Sequence, residues 1–351
     1  MAAGERILMP DKLIDFEQCP SFLNDYEGAD TKLKIQFNND IYMLKLGRKL
    51  EPNERNALQA SYSNSPVAEY LGSHIFQLAN IPVQETILGT YRGHIAVGCK
   101  DFILDRPDSD SVQLTEFKKL ETSFLGGSSA VGRTPLYENI LEVFNNHPYL
   151  EPIREQAIER YWQTFAIDSL IGNFDRHSGN WGFLYDKSKD QLFDLAPVYD
   201  CGSSFYPRLD EKGMINLMEH PDQLQKRVKT FPTAALKING SKAKYHEFLV
   251  SPEGTECRNI LLELYGKLDM NQVHELIANT PGISDVQREF YSLYIDTRDK
   301  EILQPALEIA REESRERNTN SLEHHCQIAK EASDALANSR NDIASDKSFE
   351  R

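Results

Sequence analysis

Residues 172–182 have the sequence GNFDRHSGNWG, the stretch on which the interpretation of the whole chain depends. It places an acid, an arginine, a histidine and two amides between glycines, directly after a long apolar segment. Residues 152–171 carry apolar side chains at helical spacing and become apolar nearly all round toward their end. This pattern predicts a buried helix that Gly172 terminates. So many polar groups after a buried helix indicate a loop that positions reactive side chains.

The composition is that of a folded protein without a long apolar span. The chain has 351 residues, 40% of them hydrophobic, which is enough for two packed domains. No stretch approaches the roughly 18 uninterrupted apolar residues that cross a bilayer. The start, MAAGERILMPDK, lacks the basic and then apolar order of a secretory signal. We therefore expect a cytoplasmic protein without stable membrane insertion, while export or translocation into a host cell by a route that uses no such signal stays open.

Charge and cysteine content argue against several kinds of site. The 54 acidic and 39 basic residues give a net charge of -15, and a surface of this sign repels the backbone of a nucleic acid. This charge does not oppose a nucleotide that is bound through metal ions. The odd number and wide spacing of the cysteines argue against a disulfide framework and a CxxC zinc site. They are Cys19, Cys99, Cys201, Cys257 and Cys326.

The first hundred residues are predicted to form a small sheet that carries one helix. In residues 33–46, LKIQFNNDIYMLKL, apolar residues alternate on both sides of an Asn-Asn turn, as in a hairpin. A helix is predicted over residues 64–79, where Pro66 suits a first helical position. Two more strands are predicted at 86–91 and 94–98.

The rest of the chain has a mainly helical pattern. Residues 191–200 are predicted as a strand or hairpin arm that Pro197 interrupts, and residues 214–310 as mainly helices. The charged segment after residue 305 is predicted to be a solvated helix or partly disordered. We therefore predict an α+β protein with a β-rich N-terminal lobe at 1–97, a hinge at 98–103, a helical C-terminal lobe at 104–305 and a tail at 306–351.

The spacing of three polar residues predicts phosphoryl transfer. Four residues separate Asp175 from Asn180, which is the D-x-x-x-x-N spacing of a kinase catalytic loop. Asp200 follows in a D-x-G triplet, which binds metal in kinases. Carboxylate and amide oxygens suit Mg²⁺, which neutralises charge between the β and γ phosphates of ATP. Asp175 is then left to orient and deprotonate the nucleophile.

Residues that precede this loop supply the other elements of a kinase site, in the order in which kinases carry them. Lys45 closes the strand YMLK, similar to the V-A-I-K strand whose lysine pairs with phosphates. Glu69, on the next predicted helix, is the expected ion-pair partner of this lysine. Before the strand pair, the turn EGADTK at 27–32 has backbone amides that can cap phosphate oxygens.

The loop GNFDRHSGNWG, together with LAPVYDCGSS at 195–204, resembles the bacterial HipA-like serine/threonine protein kinases. The similarity covers about residues 20–300 and is strongest to the short branch that includes secreted, cell-translocating kinases. It implies a two-lobed protein-kinase-like fold, ATP and Mg²⁺ as cofactors, a protein substrate with a serine or threonine acceptor, and autophosphorylation. It further implies Asp175 as the catalytic base, His177 as a supporting residue, and Asn180 and Asp200 as Mg²⁺ ligands.

The resemblance also implies a set of nucleotide-binding residues. They are the turn Gly28, Ala29, Asp30, Thr31 and Lys32, the pair Lys45 and Glu69, and the adenine-binding segment Gly98, Cys99, Lys100, Asp101 and Phe102.

Two differences between this chain and the longer members of the family limit what the resemblance implies. Those members carry a serine three positions before the turn glycine, where autophosphorylation ejects the loop, whereas Asp25 stands there in this chain. The extra N-terminal subdomain of the longer toxins is also not expected. Neither that regulatory mechanism nor a toxin–antitoxin role is therefore implied.

Simpler interpretations of the same residues stay open at this point. Asp175 can satisfy its own loop at a helix end, and Lys45 can be a solvated strand-edge lysine. Glu69 can complement a helix N-terminus, and His177 can be a structural hydrogen-bonding residue. Cys201 is most simply a small buried residue.

Two further motifs are not assigned to the site. GSSAVGRT at 127–134 fits a P-loop with arginine for lysine, but it runs into Pro135 and follows no predicted buried strand, so a surface loop is expected. The pair His324 and His325 has no matching metal ligands nearby and belongs to the solvated tail.

Three hypotheses for function follow. The first is a HipA-like protein kinase, and the second is a phosphoinositide-type lipid kinase, which shares D-R-H-x-x-N and D-x-G. The third is a nucleotide-binding module without turnover. A lipid kinase needs a basic membrane-binding face, which a net charge of -15 does not favour. A module without turnover is expected to lose a site residue, and none is missing. The protein substrate and the oligomeric state do not follow from the sequence.

Overall fold

The computed structural model describes residues 12–22, 32–47, 63–126 and 134–319. The chain forms two compact units, Met1–Ala306 and Leu307–Arg351. The first unit holds the sheets and all of the helices named below, and in the second unit the described residues 307–319 are α-helical. No helix in these described ranges is long and apolar enough to cross a membrane.

A six-stranded sheet dominates the N-terminal region. The turn between its third and fourth strands lies at Asn38 and Asn39, whose positive φ angles of 50° and 70° are those of a tight two-residue hairpin turn. The predicted pair of strands at 33–46 is thus confirmed. The strands lie in the order β1-β5-β6-β4-β3-β2 and are β1 Ile14–Asp15, β2 Ser21–Phe22, β3 Lys32–Phe37, β4 Asp40–Leu46, β5 Thr86–Tyr91 and β6 His94–Lys100.

Strand β4 presents Lys45 from an interior position of this sheet. Its neighbours are β3 and β6. Tyr42 and Leu44 are buried in the core on one face, with Ile35 and Phe16. Because side chains alternate along a strand, Met43 and Lys45 project from the opposite face. Lys45 is therefore not a solvated edge lysine.

Helix α1 (Ser65–Leu78) packs against β5 and β6 and is buried along most of its length. Pro66 lies in its first turn, as predicted. Gly72 allows a close approach, because a Cβ atom there would lie 2.7 Å from the Cβ of Cys201. The helix that carries Glu69 is thus held against the segment that carries Asp200.

Helix α4 (Arg154–Ile171) is the predicted buried helix, and it ends at Gly172. The glycine has φ 69° and its N–H donates to the carbonyl of Asp168, as in a left-handed C-cap. A Cβ atom at this position would overlap the hydroxyl of Tyr294. Backbone conformation and space therefore both require glycine where the loop 172–182 begins.

A second sheet brings the two functional loops to the same end. It consists of β7 Val112–Glu116, β8 Gly182–Asp186 and β9 Gln191–Leu195, all antiparallel. Phe183 at the start of β8 pairs with Leu195 at the end of β9. The loop before β8 and the segment after β9 consequently lie side by side. The sequence pattern predicted β9, whereas β7 and β8 were missed.

The C-terminal part of the first unit is mainly helical, as predicted, but it also contains a hairpin. Strands β10 (Thr233–Ile238) and β11 (Ser241–Lys244) turn at Asn239 and Gly240, both with positive φ. Asn-Gly between alternating apolar residues is a hairpin signal that was present in the sequence. The other helices are α2 Phe117–Leu125, α3 Tyr137–Asn146, α5 Glu211–Glu219, α6 Pro221–Thr230, α7 Tyr245–Val250, α8 Thr255–Tyr265, α9 Met270–Asn279 and α10 Asp285–Arg298.

These elements confirm the α+β class, with a β-sheet N-terminal region and a mainly helical C-terminal region. The predicted limits of the lobes, hinge and tail at residues 97, 103 and 305 stay a prediction.

Candidate active site

Lys45 lies between two carboxylates contributed by distant parts of the chain. Its Nζ is 3.1 Å from Oε2 of Glu69 and 2.7 Å from Oδ1 of Asp200. Burial by itself lowers the pKa of Lys45, but the charges of Asp200 and Glu69 outweigh this effect and raise it well above its usual value. Lys45 is therefore a permanent cation in the site, and the ion pair with Glu69 that the sequence predicted is present.

Glu69 joins the lysine strand to the D-x-G segment. One of its carboxylate oxygens contacts Lys45, and the other accepts a hydrogen bond of 3.1 Å from the backbone N–H of Cys201. The residue is only 1% exposed, so both oxygens need such partners to offset the loss of water. Helix α1 thereby sets the distance between β4 and the segment 200–202.

Asp200 is directed toward Lys45 by an unusual backbone conformation. Its φ is 64°, in the left-handed region that non-glycine residues seldom adopt and that costs about 1 kcal/mol or more. Its carbonyl accepts a hydrogen bond of 3.4 Å from Asn173. The side chain is 41% exposed, so the carboxylate is accessible from solvent while it contacts Lys45.

The loop from Asn173 to Asn180 is closed by its own hydrogen bonds. The N–H of Asp175 donates to Oδ1 of Asn173 at 3.1 Å, and its carbonyl accepts from Nδ2 of Asn180 at 2.8 Å. Nδ1 of His177 accepts from the N–H of Gly179 at 3.1 Å, so His177 supports the turn. Because Nδ2 of Asn180 is engaged within the loop, the amide oxygen is the accepting end of this side chain.

The pKa of Asp175 is raised above the ordinary value for an aspartate. Burial among the loop atoms is the largest cause, and the negative charge of Asp200 adds to it. The charges of His177, Lys242 and Arg176 act in the opposite direction. The residue as a whole is nevertheless exposed, and within the described part of the chain its carboxylate accepts no hydrogen bond. The carboxylate therefore keeps its capacity to accept a proton or hydrogen bond from a substrate.

Beneath the loop lies a buried ion pair. Nε of Arg176 donates to Oδ2 of Asp168 at 2.8 Å, and the two side chains are 7% and 1% exposed. Asp168 also accepts from Asn173 at 3.2 Å. The guanidinium of Arg176 also donates to the carbonyl of Asn180 at 3.0 Å and to the carbonyl of Tyr199. It thus links the loop of Asp175 to the residue that precedes Asp200.

The segment predicted to bind adenine forms the end of β6 and the residues after it. Gly98, Cys99 and Lys100 belong to the strand, and Asp101 and Phe102 follow. The carbonyl of Lys100 accepts from Gln84 at 2.9 Å. The Nζ of Lys100 lies 3.1 Å from Oδ2 of Asp40 and 3.1 Å from Oδ2 of Asp105. Adenine binding by this segment stays a prediction.

Comparison with known proteins decides the family. The model of the HipA-like C-terminal domain matches residues 25–270. The chain belongs to the HipA-like family. This HipA-like chain is 33% identical over 296 residues to the serine/threonine-protein kinase CtkA of Helicobacter pylori strain J99, covering 84% of this chain and 87% of that protein. The resemblance stated from the sequence is thereby confirmed.

Solved structures give the same result for the fold. The crystal structure of a Helicobacter pylori proinflammatory kinase CtkA matches with a TM-score of 0.74 at 32% identity, over 86% of this chain and 99% of that one. The HipA protein of Shewanella oneidensis MR-1, solved with HipB and operator DNA, matches at a TM-score of 0.46 and 12% identity, over 82% and 67% of the two chains. This weaker likeness adds nothing to the assignment.

Some residues predicted for the HipA-like site lie outside the described residues. They are Gly28, Ala29, Asp30 and Thr31, together with Asp25, most of the segment 127–134, and His324 and His325. Lys32 begins strand β3, and its backbone pairs with that of Lys45. The last residue of the predicted phosphate-binding turn therefore lies opposite Lys45.

The HipA-like site also contains residues to which the sequence analysis gave no role. Asp168 is one, since it was treated only as part of an apolar helix. An acid within a segment that is apolar all round is itself a signal, because a buried carboxylate needs a partner. Arg176, eight residues later, belonged to the quoted motif but was given no function.

Proposed function

We infer that this HipA-like chain is a serine/threonine protein kinase. The observation that carries the conclusion is the contact of Lys45 with both Glu69 and Asp200, which are 24 and 155 residues away along the chain. The lysine strand, the helix with the acidic residue and the D-x-G segment, which follow one another in this order in kinases, therefore meet at one ammonium group. The kinase name of the relative that is 33% identical over most of its length supports the same conclusion.

Asp175 is the proposed base for the acceptor hydroxyl. The residue is exposed, and its raised pKa improves the ability of its carboxylate to accept a proton near neutral pH. The backbone N–H of Asp175 donates to Asn173, and its carbonyl accepts from Asn180. These bonds hold the backbone and do not engage the side-chain carboxylate. We propose that the serine or threonine hydroxyl of a protein substrate donates its proton to this group, and that the kinase also phosphorylates itself.

Lys45 is the proposed ligand of the ATP phosphates. An ammonium group has three donors, and in this structure two of them meet carboxylates. Because Asp200 is accessible to solvent, a phosphate oxygen can take its place on Lys45 while Glu69 continues to hold the lysine. The turn at residues 28–32 and the segment 98–102 are the proposed contacts to the phosphates and the adenine.

Asn180 and Asp200 are the proposed holders of Mg²⁺. One carboxylate and one amide oxygen are hard donors of the kind this ion prefers, and it usually keeps several ligands that are not protein groups. Within the described residues no group of three or more His, Cys, Asp or Glu side chains can hold a metal, which fits a site that phosphate oxygens complete. Bound there, Mg²⁺ would neutralise charge on the β and γ phosphates.

The lipid-kinase and non-catalytic hypotheses find no support among these relatives. The test is transfer of labelled γ-phosphate from Mg·ATP by the purified full chain, alone and with a generic basic protein. We expect label on protein with the wild type, and at least about 100-fold less with Asp175→Asn. Asp200→Ala should also abolish transfer. The matched control is Asp222→Asn, an exposed aspartate in the first turn of α6, which should transfer as the wild type does.

Two outcomes would contradict the proposal. Equal transfer by Asp175→Asn would remove Asp175 from its role. Absence of protein labelling by the wild type, with Mg·ATP still bound in calorimetry, would favour a lipid acceptor or a module without turnover.

A further inference from the structure

A pocket of about 250 Å³ lies beside the loop that carries Asp175. Its walls combine aromatic and basic side chains from three segments of the chain. They include Phe174, Tyr206, Arg208, Arg227 and Phe231. Phe174 directly precedes Asp175, and its backbone N–H donates to the carbonyl of Ser203 at 3.4 Å, in the segment that follows Asp200. The volume is below the roughly 300–1,000 Å³ that is usual for small-molecule sites and suits a single side chain.

The aromatic walls of this pocket are fixed by contacts with one another. The rings of Tyr206 and Phe231 stack at an angle of 8° with their centroids 5.9 Å apart, and the Tyr206 hydroxyl donates to the Phe231 carbonyl at 2.7 Å. The ring of Phe174 lies 5.6 Å from that of Phe231. Phe231 is nevertheless 41% exposed, so the pocket is preformed and open to solvent at this wall.

Two exposed arginines line the pocket without a carboxylate partner. Arg208 and Arg227 form no ion pair with any described residue, and the described lining contains no acid. The guanidinium of Arg227 lies 4.6 Å from the centroid of the Tyr206 ring, at the distance of a cation–π contact. Within the described residues the Tyr206 hydroxyl is its hydrogen-bonding neighbour, so most of its five N–H donors can meet the oxygens of an anion.

The basic character of the pocket contrasts with the rest of the chain, which has 54 acidic and 39 basic residues. Asp210, two residues after Arg208, is engaged as the cap of α5, where it accepts from the N–H of Gly213 at 2.8 Å. Lys242 adds a positive charge near Asp175, since it lowers the pKa of that residue. The side of the catalytic loop at which a substrate must arrive is therefore locally positive and attracts an anion.

We propose that this pocket binds an anionic side chain of the protein substrate, a carboxylate or a phosphate group, close to the acceptor serine or threonine. The inference rests on the proposed function, because it describes the substrate of that same kinase site. Guanidinium groups bind carboxylates and phosphates alike through paired N–H donors, so either anion can fill the pocket. An extended peptide advances about 3.3–3.6 Å per residue, and the pocket begins next to Asp175, so the anionic residue is expected within about four positions of the acceptor.

An uncharged aromatic side chain fits the pocket less well. It would contact the aromatic rings, but it would take two guanidinium groups out of water without giving them an acceptor, which opposes binding.

The test uses the full chain, Mg·ATP and neutral peptides that contain a single serine. One glutamate is moved through the positions within about four residues of the serine. The peptide with the highest kcat/KM is then compared with versions that carry glutamine, phenylalanine or phosphoserine at that position. We expect glutamate to exceed glutamine and phenylalanine by at least about tenfold in kcat/KM, the effect of a hydrogen bond to a charged group. Phosphoserine ahead of glutamate would identify a phosphate as the preferred anion, and the reverse order a carboxylate.

A double variant, Arg208→Gln with Arg227→Gln, should remove this preference. It keeps polar side chains but removes both charges, so the ratio of kcat/KM between the glutamate and glutamine peptides should fall to about one. Arg208→Glu, a change at an exposed position, should favour a lysine peptide over the glutamate peptide. The matched control is Arg92→Gln, an exposed arginine 5.2 Å from the centroid of the Tyr91 ring, which should keep the wild-type ratio.

Two results would overturn this inference and leave the kinase assignment intact. They are labelling of the peptides without a preference for an anion at any position, and an unchanged ratio in the double variant. Failure of the wild type to label itself, the peptides or a basic protein would instead remove the proposed function, and this inference with it.

Discussion

Two cations next to the catalytic loop are both paired with carboxylates, yet their surroundings differ. Arg176 contacts Asp168 with Nε and one terminal nitrogen, at 2.8 and 3.2 Å, and that carboxylate is 1% exposed. Its remaining donors go to two carbonyls and to Sγ of Cys201. Among the described residues the ion-pair partners of Lys45 are two carboxylates, and one of them, Asp200, is 41% exposed.

The difference separates a structural ion pair from one that a ligand can rearrange. A guanidinium has five N–H donors in a rigid plane, and here each has an acceptor within the protein. An ammonium on a flexible stem has three donors, and one of its partners is within reach of solvent. Arg176 therefore holds the loop in place, whereas Lys45 can exchange a protein oxygen for a phosphate oxygen.

The largest effect on stability is expected from Arg176→Met. Asp168 would then be a buried charge without its partner, which typically costs about 3–5 kcal/mol of unfolding free energy. Urea denaturation measures this loss. The double variant Asp168→Leu with Arg176→Met should recover part of it, because no unpaired charge remains. A single variant as stable as the wild type would show that this pair does not hold the loop.

Lys45→Met should produce the opposite pattern. We expect phosphate transfer to fall by about 100- to 1,000-fold, the usual effect of removing one donor to a reacting charge. Unfolding free energy should fall by less than in Arg176→Met, because Asp200 can be solvated and Glu69 keeps the N–H of Cys201. Transfer assays and urea denaturation of both variants provide the comparison. Equal losses of unfolding free energy in Lys45→Met and Arg176→Met would contradict the different roles assigned to the two cations.

Glu69→Gln should have an intermediate effect on transfer. The new amide oxygen can still accept from the N–H of Cys201, but the charge that helps to raise the pKa of Lys45 is lost. We expect kcat/KM to fall by about tenfold, or ~1.4 kcal/mol. Glu159→Gln, on the exposed side of α4, is the control and should leave kcat/KM unchanged. A loss as large as that of Lys45→Met would mean that Glu69 does more than hold the lysine.

The smallest predicted effect concerns pH. The charge of Lys242 lowers the pKa of Asp175, so Lys242→Met should raise it further. Because the base must be ionised, the acid limb of the kcat/KM profile should then move to higher pH. Lys242 is exposed, so added salt should reduce the shift. Lys244→Met, on the same strand but paired with Glu247, is the control. A shift to lower pH, or the same shift in the control, would contradict the assignment.

Local signals in the sequence were sufficient for much of the fold. The Asn-Asn turn, Pro66 at the start of α1 and Gly172 at the end of α4 each act within a few residues, so their elements were predicted. Strand β7 was missed because it is short and its partner β8 lies far along the chain, and β8 was missed because it is short, although its other partner β9 follows it closely. The hairpin at β10 and β11 was missed although Asn239 and Gly240 carried a signal for it.

The sequence by itself determined which reactive groups exist and in what order they follow, and hence the family. The tertiary structure alone decided how they are joined. The hydrogen bond from Cys201 to Glu69 spans 132 residues, and the contact of Lys45 with Asp200 spans 155. Burial and hydrogen-bond partners are properties of packing between distant segments, so residue types and their spacing do not specify them.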